Sequence, residues 1–120
     1  EIDRLVKDFR LQKDILESVT INDFLEKMDK ENVILLDVRP EEEYEAGHIA
    51  HSISIPIDQL MKRFHELPTD KLIIAYCRGP FCVFADEALE LLRKHNYSAY
   101  RLEEGFPDWK LRGLPIEENV

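Results

Sequence analysis

Two continuous apolar runs of strand length constrain the fold of this chain more than any other feature of its sequence. They are NVILLDV (32–38) and KLIIAY (71–76). Because neither run alternates apolar with polar residues, each predicts a strand buried on both faces, which is typical of parallel sheets. Apolar residues at helical spacing follow the second run between Ala85 and Leu92. The sequence therefore predicts an α/β domain with a mostly parallel central sheet flanked by helices on both faces.

Strand and helix patterns alternate along the rest of the chain. Thr20 and Asp23 form a near capping box at the start of one helical pattern. The other predicted elements are a turn and short acidic helix (39–49), a short strand (53–55), a helix (57–64), a strand (98–102) and a short final helix (105–113).

Residues 1–17 predict an amphipathic helix, because Ile2, Leu5, Val6 and Phe9 share one helical face. This apolar stripe could pack on the domain itself, or it could dock on a partner domain or a second chain. We interpret residues 1–17 as a linker helix from a preceding N-terminal domain, and residues 18–117 as one domain.

Charge and composition exclude several classes of function. The net charge of −9 argues against direct binding to nucleic acid phosphates or anionic membranes. The acidic run Glu41–Glu43 is typical of a solvated helix start. No apolar run reaches membrane-spanning length. Two cysteines and no visible signal peptide predict a reducing, cytoplasmic location.

Cys77 lies between the second apolar run and a helix, in the stretch IIAYCRGPFCVFADEALELL (73–92). Backbone N–H groups of loop 78–82 and the positive end of the helix dipole would stabilise a thiolate and a bound anion there. Arg78 adds positive charge, and Gly79 suits a tight turn. The alternative is that Cys77 is only a small buried apolar residue. Its position at the junction favours a nucleophile.

Three motifs in order resemble those of single-domain rhodaneses, which are sulfurtransferases. They are LLDVRPEEEYEAGHIAHSISIP (35–56), YCRGPFC (76–82) and RLEEGFPDWKLRGLPI (101–116). The resemblance implies the three-layer rhodanese-like fold. It is closer to the rhodanese domain fused behind the winged helix-turn-helix of ArsR-like repressors. It implies that DNA would be contacted only through that fused domain, and that the full-length protein could form a homodimer.

The resemblance also implies a chemistry that needs no cofactor. Cys77 would attack the sulfane sulfur of a small sulfur-containing anion or a persulfide donor, become a persulfide, and pass sulfur to a thiol or cyanide. The residues implied to bind substrate are Arg78, Gly79, Pro80, Phe81 and Cys82.

The loop departs from the family pattern at two positions. Pro80 stands where many rhodaneses have glycine. Because proline has no N–H group, loop 78–82 has one donor fewer for a bound anion. This loss predicts a preference for less charged sulfur donors. Cys82 either replaces a Thr as a small residue or acts as a resolving thiol that condenses with oxidised or persulfidated Cys77. Phe81 is either tucked under the loop or exposed for a partner.

The sequence lacks the residues that two alternative functions, phosphatase activity and zinc binding, would require. Cysteine-based phosphatases of similar fold close the loop with an arginine six residues after the cysteine, and position 83 is Val83. A zinc site needs about four ligands, which two cysteines and scattered histidines do not supply, so we predict no metal.

Five further residues have competing interpretations. Asp37 and Arg39 could line the pocket mouth, but an ion-pair brace between the strand and the helix that carries Glu42 and Glu43 is favoured. His48 is interpreted as a packed, hydrogen-bonded residue rather than a base. Phe106 and Trp109 could form a pocket wall, with core packing favoured.

Three functional classes remain open from the sequence. The chain is a sulfurtransferase, or it is a sulfur- or redox-sensing domain of an ArsR-like repressor using Cys77 and Cys82. The third class is an interaction module without catalysis.

Overall fold

Among the residues that the structure describes, five parallel strands form the central sheet. The structure is a computed structural model, and it describes residues 18–27, 32–79 and 83–118. The strands are β1 (Ser18–Val19), β2 (Val33–Asp37), β3 (His48–Ile49), β4 (Ile53–Ser54), β5 (Leu72–Tyr76), β6 (Ala99–Leu102) and β7 (Ile116–Glu117). The sheet order is β1-β6-β5-β2-β4, and every neighbouring pair is parallel. The predicted α/β class is confirmed.

Helices connect the strands and cover both faces of the sheet. They are α1 (Ile21–Lys27), α2 (Glu41–Ala46), α3 (Leu60–Arg63), α4 (Val83–Lys94) and α5 (Phe106–Leu111), with 3-10 turns at Ile57–Gln59 and Phe64–Glu66. The predicted capping box is present at the start of α1. Asp23 N donates to Thr20 Oγ1 at 2.9 Å, and Thr20 N donates to Asp23 Oδ2 at 3.4 Å.

Successive residues of β5 alternate between two apolar cores, as the pleat requires. Ile73 and Ala75 pack on the face covered by α3 and α4. Ile74 and Tyr76 pack on the face covered by α1 and α5. Both faces are therefore buried, which explains why the sequence of β5 has no polar alternation.

Three two-residue strands were not predicted. β1 forms one edge of the sheet beside β6, whereas β3 and β7 form a separate antiparallel pair. Elements this short leave no readable periodicity in the sequence. The predicted helix over residues 1–17 lies outside the described residues, so its interpretation as a linker stays a prediction.

Candidate active site

Cys77 lies at the carboxyl edge of the sheet, directly after the last residue of β5. The ends of β2, β5 and β6 meet at this edge because the three strands are parallel. Cys77 is 2% exposed and belongs to the core beneath α4. The structure describes it as disulfide-bonded. The chain contains one other cysteine, Cys82, which lies outside the described residues together with Pro80 and Phe81.

The backbone that follows Cys77 rests directly on the start of α5. Phe106 N donates to the carbonyl of Cys77 at 3.0 Å. A Cβ placed on Gly105 would come within 2.3 Å of both Arg78 C and Gly79 N. Since real Cβ atoms do not approach other atoms so closely, only glycine permits this contact. Gly105 therefore allows the Arg78–Gly79 peptide to pack directly against the start of α5.

Arg101 holds the same segment from the end of β6. Its Nη2 donates to the carbonyl of Gly79 at 2.7 Å, and its Nη1 donates to Asp86 Oδ1 at 2.7 Å. The Arg101 side chain is only 7% exposed, whereas Asp86 is on the surface of α4. One guanidinium thus joins the sheet, the segment after Cys77 and the first turn of α4.

The side chain of Arg78 turns to α2 and pairs with Glu43. Its Nε donates to both carboxylate oxygens of Glu43, at 2.9 and 3.1 Å, and its Nη2 donates to Oε2 as well. Hydrogen bonding and the charge of Arg78 lower the pKa of Glu43. Glu43 is therefore the ionised partner of Arg78, whereas the sequence predicted a solvated helix start and a brace with the Asp37–Arg39 strand end.

Gly79 lies at a bend of the backbone after Cys77, and its predicted part in substrate binding stays a prediction. Its φ lies outside the left-handed region, which Gly113 alone of the four glycines occupies. No described atom lies within 4 Å of a Cβ placed on Gly79. The described residues therefore give no steric reason for glycine at position 79, whereas they give a strong one at Gly105.

Asp37 and Arg39 form a buried ion pair below the site. Arg39 Nη2 lies 2.7 Å from Asp37 Oδ2, and the same nitrogen donates to the carbonyl of Gly47 at 2.7 Å. Burial alone would lower the pKa of Arg39, but its hydrogen bonds and proximity to Asp37 raise it overall. The guanidinium also lies 4.6 Å from the ring centroid of Phe106. This geometry braces the end of β2 against the residues after α2 and against α5.

A second set of buried polar contacts surrounds the hydroxyl of Tyr76. This hydroxyl accepts the N–H of Ile49 at 3.1 Å and lies 3.0 Å from Ser52 Oγ. Burial, followed by the charge of Asp37, raises the pKa of Tyr76 strongly. Its phenol is therefore protonated at every physiological pH, and its role is to join β5 to β3.

His48 and Trp109 are packed residues in this structure. His48 is 2% exposed, stacks on Tyr44 at 3.6 Å between ring centroids, and has Nδ1 2.6 Å from the carbonyl of Tyr44. Trp109 lies in the core and donates from Nε1 to the carbonyl of Pro115 at 2.8 Å.

The described residues contain no group of three or more His, Cys, Asp or Glu side chains arranged to hold a metal ion. None of the described helices combines the length and apolar character needed to cross a bilayer.

Comparisons with known proteins agree on one family. The sequence profile described as "Rhodanese-like domain" matches residues 20–112. The HTH-type transcriptional regulator Rv0324 of Mycobacterium tuberculosis is 43% identical over 104 residues, which make up 87% of this chain and 46% of that protein. A sulfurtransferase of Allochromatium vinosum is 30% identical over 89 residues, or 73% of this chain and 81% of the relative.

Solved structures give the same fold. The crystal structure of the BH2092 protein from Bacillus halodurans matches with a TM-score of 0.81 at 28% identity, and the match covers 94% of this chain and 85% of that one. The chain spans less than half the length of the mycobacterial regulator.

Proposed function

This chain belongs to the rhodanese-like domain family, and on that premise we propose that it is a sulfurtransferase domain in which Cys77 carries the transferred sulfur as a persulfide. One observation carries this proposal. Cys77 stands at the carboxyl edge of the parallel sheet, directly after β5, and its carbonyl is fixed by Phe106 N at 3.0 Å. The twelve-residue helix α4 begins six positions later, at Val83. A helix amino terminus near the cysteine favours its thiolate form.

The reaction divides into two displacements at sulfur. In the first, the Cys77 thiolate attacks the sulfane sulfur of the donor and forms a new S–S bond. The donor's own S–S bond breaks, and the remainder leaves with the electron pair, as sulfite from thiosulfate or as a thiolate from an organic persulfide. In the second, an acceptor thiolate attacks the outer sulfur of the Cys77 persulfide and leaves as a new persulfide, which regenerates the Cys77 thiolate.

The disulfide at Cys77 must be opened before this cycle can begin, because the thiolate is the nucleophile. Two equivalents of a small thiol accomplish this by exchange, leaving the small thiol as its own disulfide. A reducing cytoplasm, as predicted from the sequence, would supply that thiol.

A second function is favoured by the disulfide at Cys77 and by the similarity to an HTH-type transcriptional regulator. The domain would then sense sulfane sulfur for an ArsR-like repressor. Cys77 first takes sulfur from a donor; the thiolate of Cys82 then attacks the inner sulfur of the persulfide and expels hydrosulfide. The donor is the oxidant, and the product is a disulfide between the two cysteines. DNA would be contacted only through a fused domain.

Intact-protein mass spectrometry tests both functions on the fully reduced chain. Wild type, Cys77→Ser and Cys82→Ser are each treated with thiosulfate and with an organic persulfide. Sulfur transfer predicts a gain of one sulfur atom that is lost in Cys77→Ser and kept in Cys82→Ser. The sensor predicts instead a loss of two hydrogens that requires both cysteines. An unchanged mass of the wild type with every donor would refute both functions.

A further inference from the structure

The residue that follows Cys77 does not present a free positive charge. Three hydrogen bonds join the Arg78 guanidinium to the carboxylate of Glu43. The guanidinium carbon also lies 5.4 Å from the ring centroid of Phe84 at the start of α4. Side-on pairing of this kind is the strong, bidentate form of an arginine–carboxylate contact. Arg78 is therefore oriented by two elements, and the pair has no net charge.

The surroundings of this pair are acidic. A cleft of about 430 Å³ is lined by Phe84, which also contacts Arg78, and by Val38. Val38, in the lining, donates its N–H to the carbonyl of Tyr76, the residue before Cys77. The described lining of the cleft contains the carboxylates of Glu41, Glu42 and Asp58 and no lysine or arginine. A sulfur donor that approaches through this cleft therefore meets negative charge.

We propose that Glu43 is a specificity-determining residue, which holds Arg78 in an ion pair and so restricts Cys77 to sulfur donors of low negative charge, such as zwitterionic amine persulfides. This inference rests on the proposed sulfur transfer and names its substrate class. Thiosulfate is a dianion, which a free guanidinium beside Cys77 would attract in addition to the loop N–H groups, and the ion pair with Glu43 withholds that charge. An aminoalkyl persulfide has no net charge, and its ammonium group suits the acidic cleft.

The ion pair persists under the conditions of such a reaction. Hydrogen bonding by Arg78 lowers the pKa of Glu43 below its usual value of 4.5. The carboxylate is therefore ionised throughout the neutral range, and the selectivity does not depend on pH there.

The test compares thiosulfate with cysteamine persulfide as donors to the reduced chain. The rate of Cys77 persulfide formation is followed by mass spectrometry in wild type, Glu43→Gln, Glu43→Asp, Arg78→Gln and the double variant Glu43→Gln/Arg78→Gln. Glu43→Gln should raise the rate with thiosulfate, relative to cysteamine persulfide, by about 3- to 10-fold, the effect of one unit charge several ångströms from a dianion at a protein surface.

Three controls identify the charge of Arg78 as the cause. The increase should disappear in the double variant, should be small in Glu43→Asp, and should shrink as ionic strength rises, because salt screens exposed charges. An unchanged donor ratio in Glu43→Gln, or an increase that persists in the double variant, would overturn the proposal. Absence of a Cys77 persulfide in wild type with both donors would instead refute the sulfur transfer on which it rests.

Discussion

Replacing Gly105 with alanine tests whether close contact beneath the Arg78–Gly79 peptide positions the segment after Cys77. The added Cβ would lie 2.3 Å from Arg78 C and Gly79 N, and 2.6 Å from Arg78 O. Ordinary contact requires about 3.5 Å, so backbone must move by about 1 Å. These are backbone atoms, which cannot rotate away as a flexible side chain could.

The expected cost follows from that displacement. Overpacking of this kind costs about 1–3 kcal/mol, and disturbing the bond from Phe106 N to the Cys77 carbonyl adds about 1 kcal/mol. Gly105 has φ −103° and ψ −171°, an extended conformation that alanine adopts freely, so no backbone strain contributes. We expect Gly105→Ala to lower the free energy of unfolding by about 2–4 kcal/mol.

Urea unfolding, followed by the fluorescence of the single tryptophan, Trp109, measures this cost. Gly79→Ala is the matched control, because no described atom lies near its added Cβ. Both variants restrict the unfolded chain equally, which stabilises by about 0.4–1 kcal/mol, so their difference isolates the crowding at Gly105. If the two variants unfold within about 0.5 kcal/mol of one another, the close contact does not exist in the folded protein.

Three further predictions concern side chains around the site. Arg101→Met should lower the free energy of unfolding by about 1–3 kcal/mol in urea titration, because it removes a buried donor from the carbonyl of Gly79; a neutral effect would contradict this. Tyr76→Phe should cost about 1–2 kcal/mol, since the Ile49 N–H loses its acceptor, and hydrogen exchange at Ile49 should accelerate; unchanged exchange would refute the bond. Arg78 lowers the pKa of Glu43, so the pair's stabilisation is fully present above the carboxyl's unfolded pKa and lost as pH falls through its folded one. Wild type should therefore exceed Glu43→Gln in stability by at most about 1 kcal/mol at pH 7, given the exposure of both side chains, and by nothing at pH 2; a difference that survives acid would have another cause.

Local patterns in the sequence predicted the strands around the site and the position of Cys77, but not the contacts between residues distant in sequence. The apolar runs predicted strands buried on both faces, and the strand–loop–helix order predicted that Cys77 lies at the edge where strands end. Those features depend on neighbours in the chain. Glu43 was assigned to a solvated helix start and to a brace with the nearby strand end at Asp37 and Arg39, because nothing in the sequence links it to Arg78, 35 residues away.

Glycine and arginine roles depended on tertiary structure in the same way. Gly105 and Arg101 both occur within the motif 101–116, yet the reason for each residue is a contact with the segment after Cys77. Gly79, in contrast, was predicted from its position in a loop, and the described residues give no steric reason for glycine there. The sequence shows where the glycines are, but the tertiary contacts determine at which position no other residue fits.

The dependence of the Cys77 segment on Arg101, Gly105 and Phe106 has a consequence for synthesis of the protein. The ribosome makes Cys77 first, and the residues that support its backbone follow 24 to 29 positions later, a delay of a few seconds at ordinary rates of translation. During that interval the cysteine has neither its carbonyl donor nor the surface of α5 beneath it. The nascent chain therefore carries a thiol whose reactivity is that of an unfolded peptide, and a chain that stops before β6 would contain Cys77 without ever assembling the site around it.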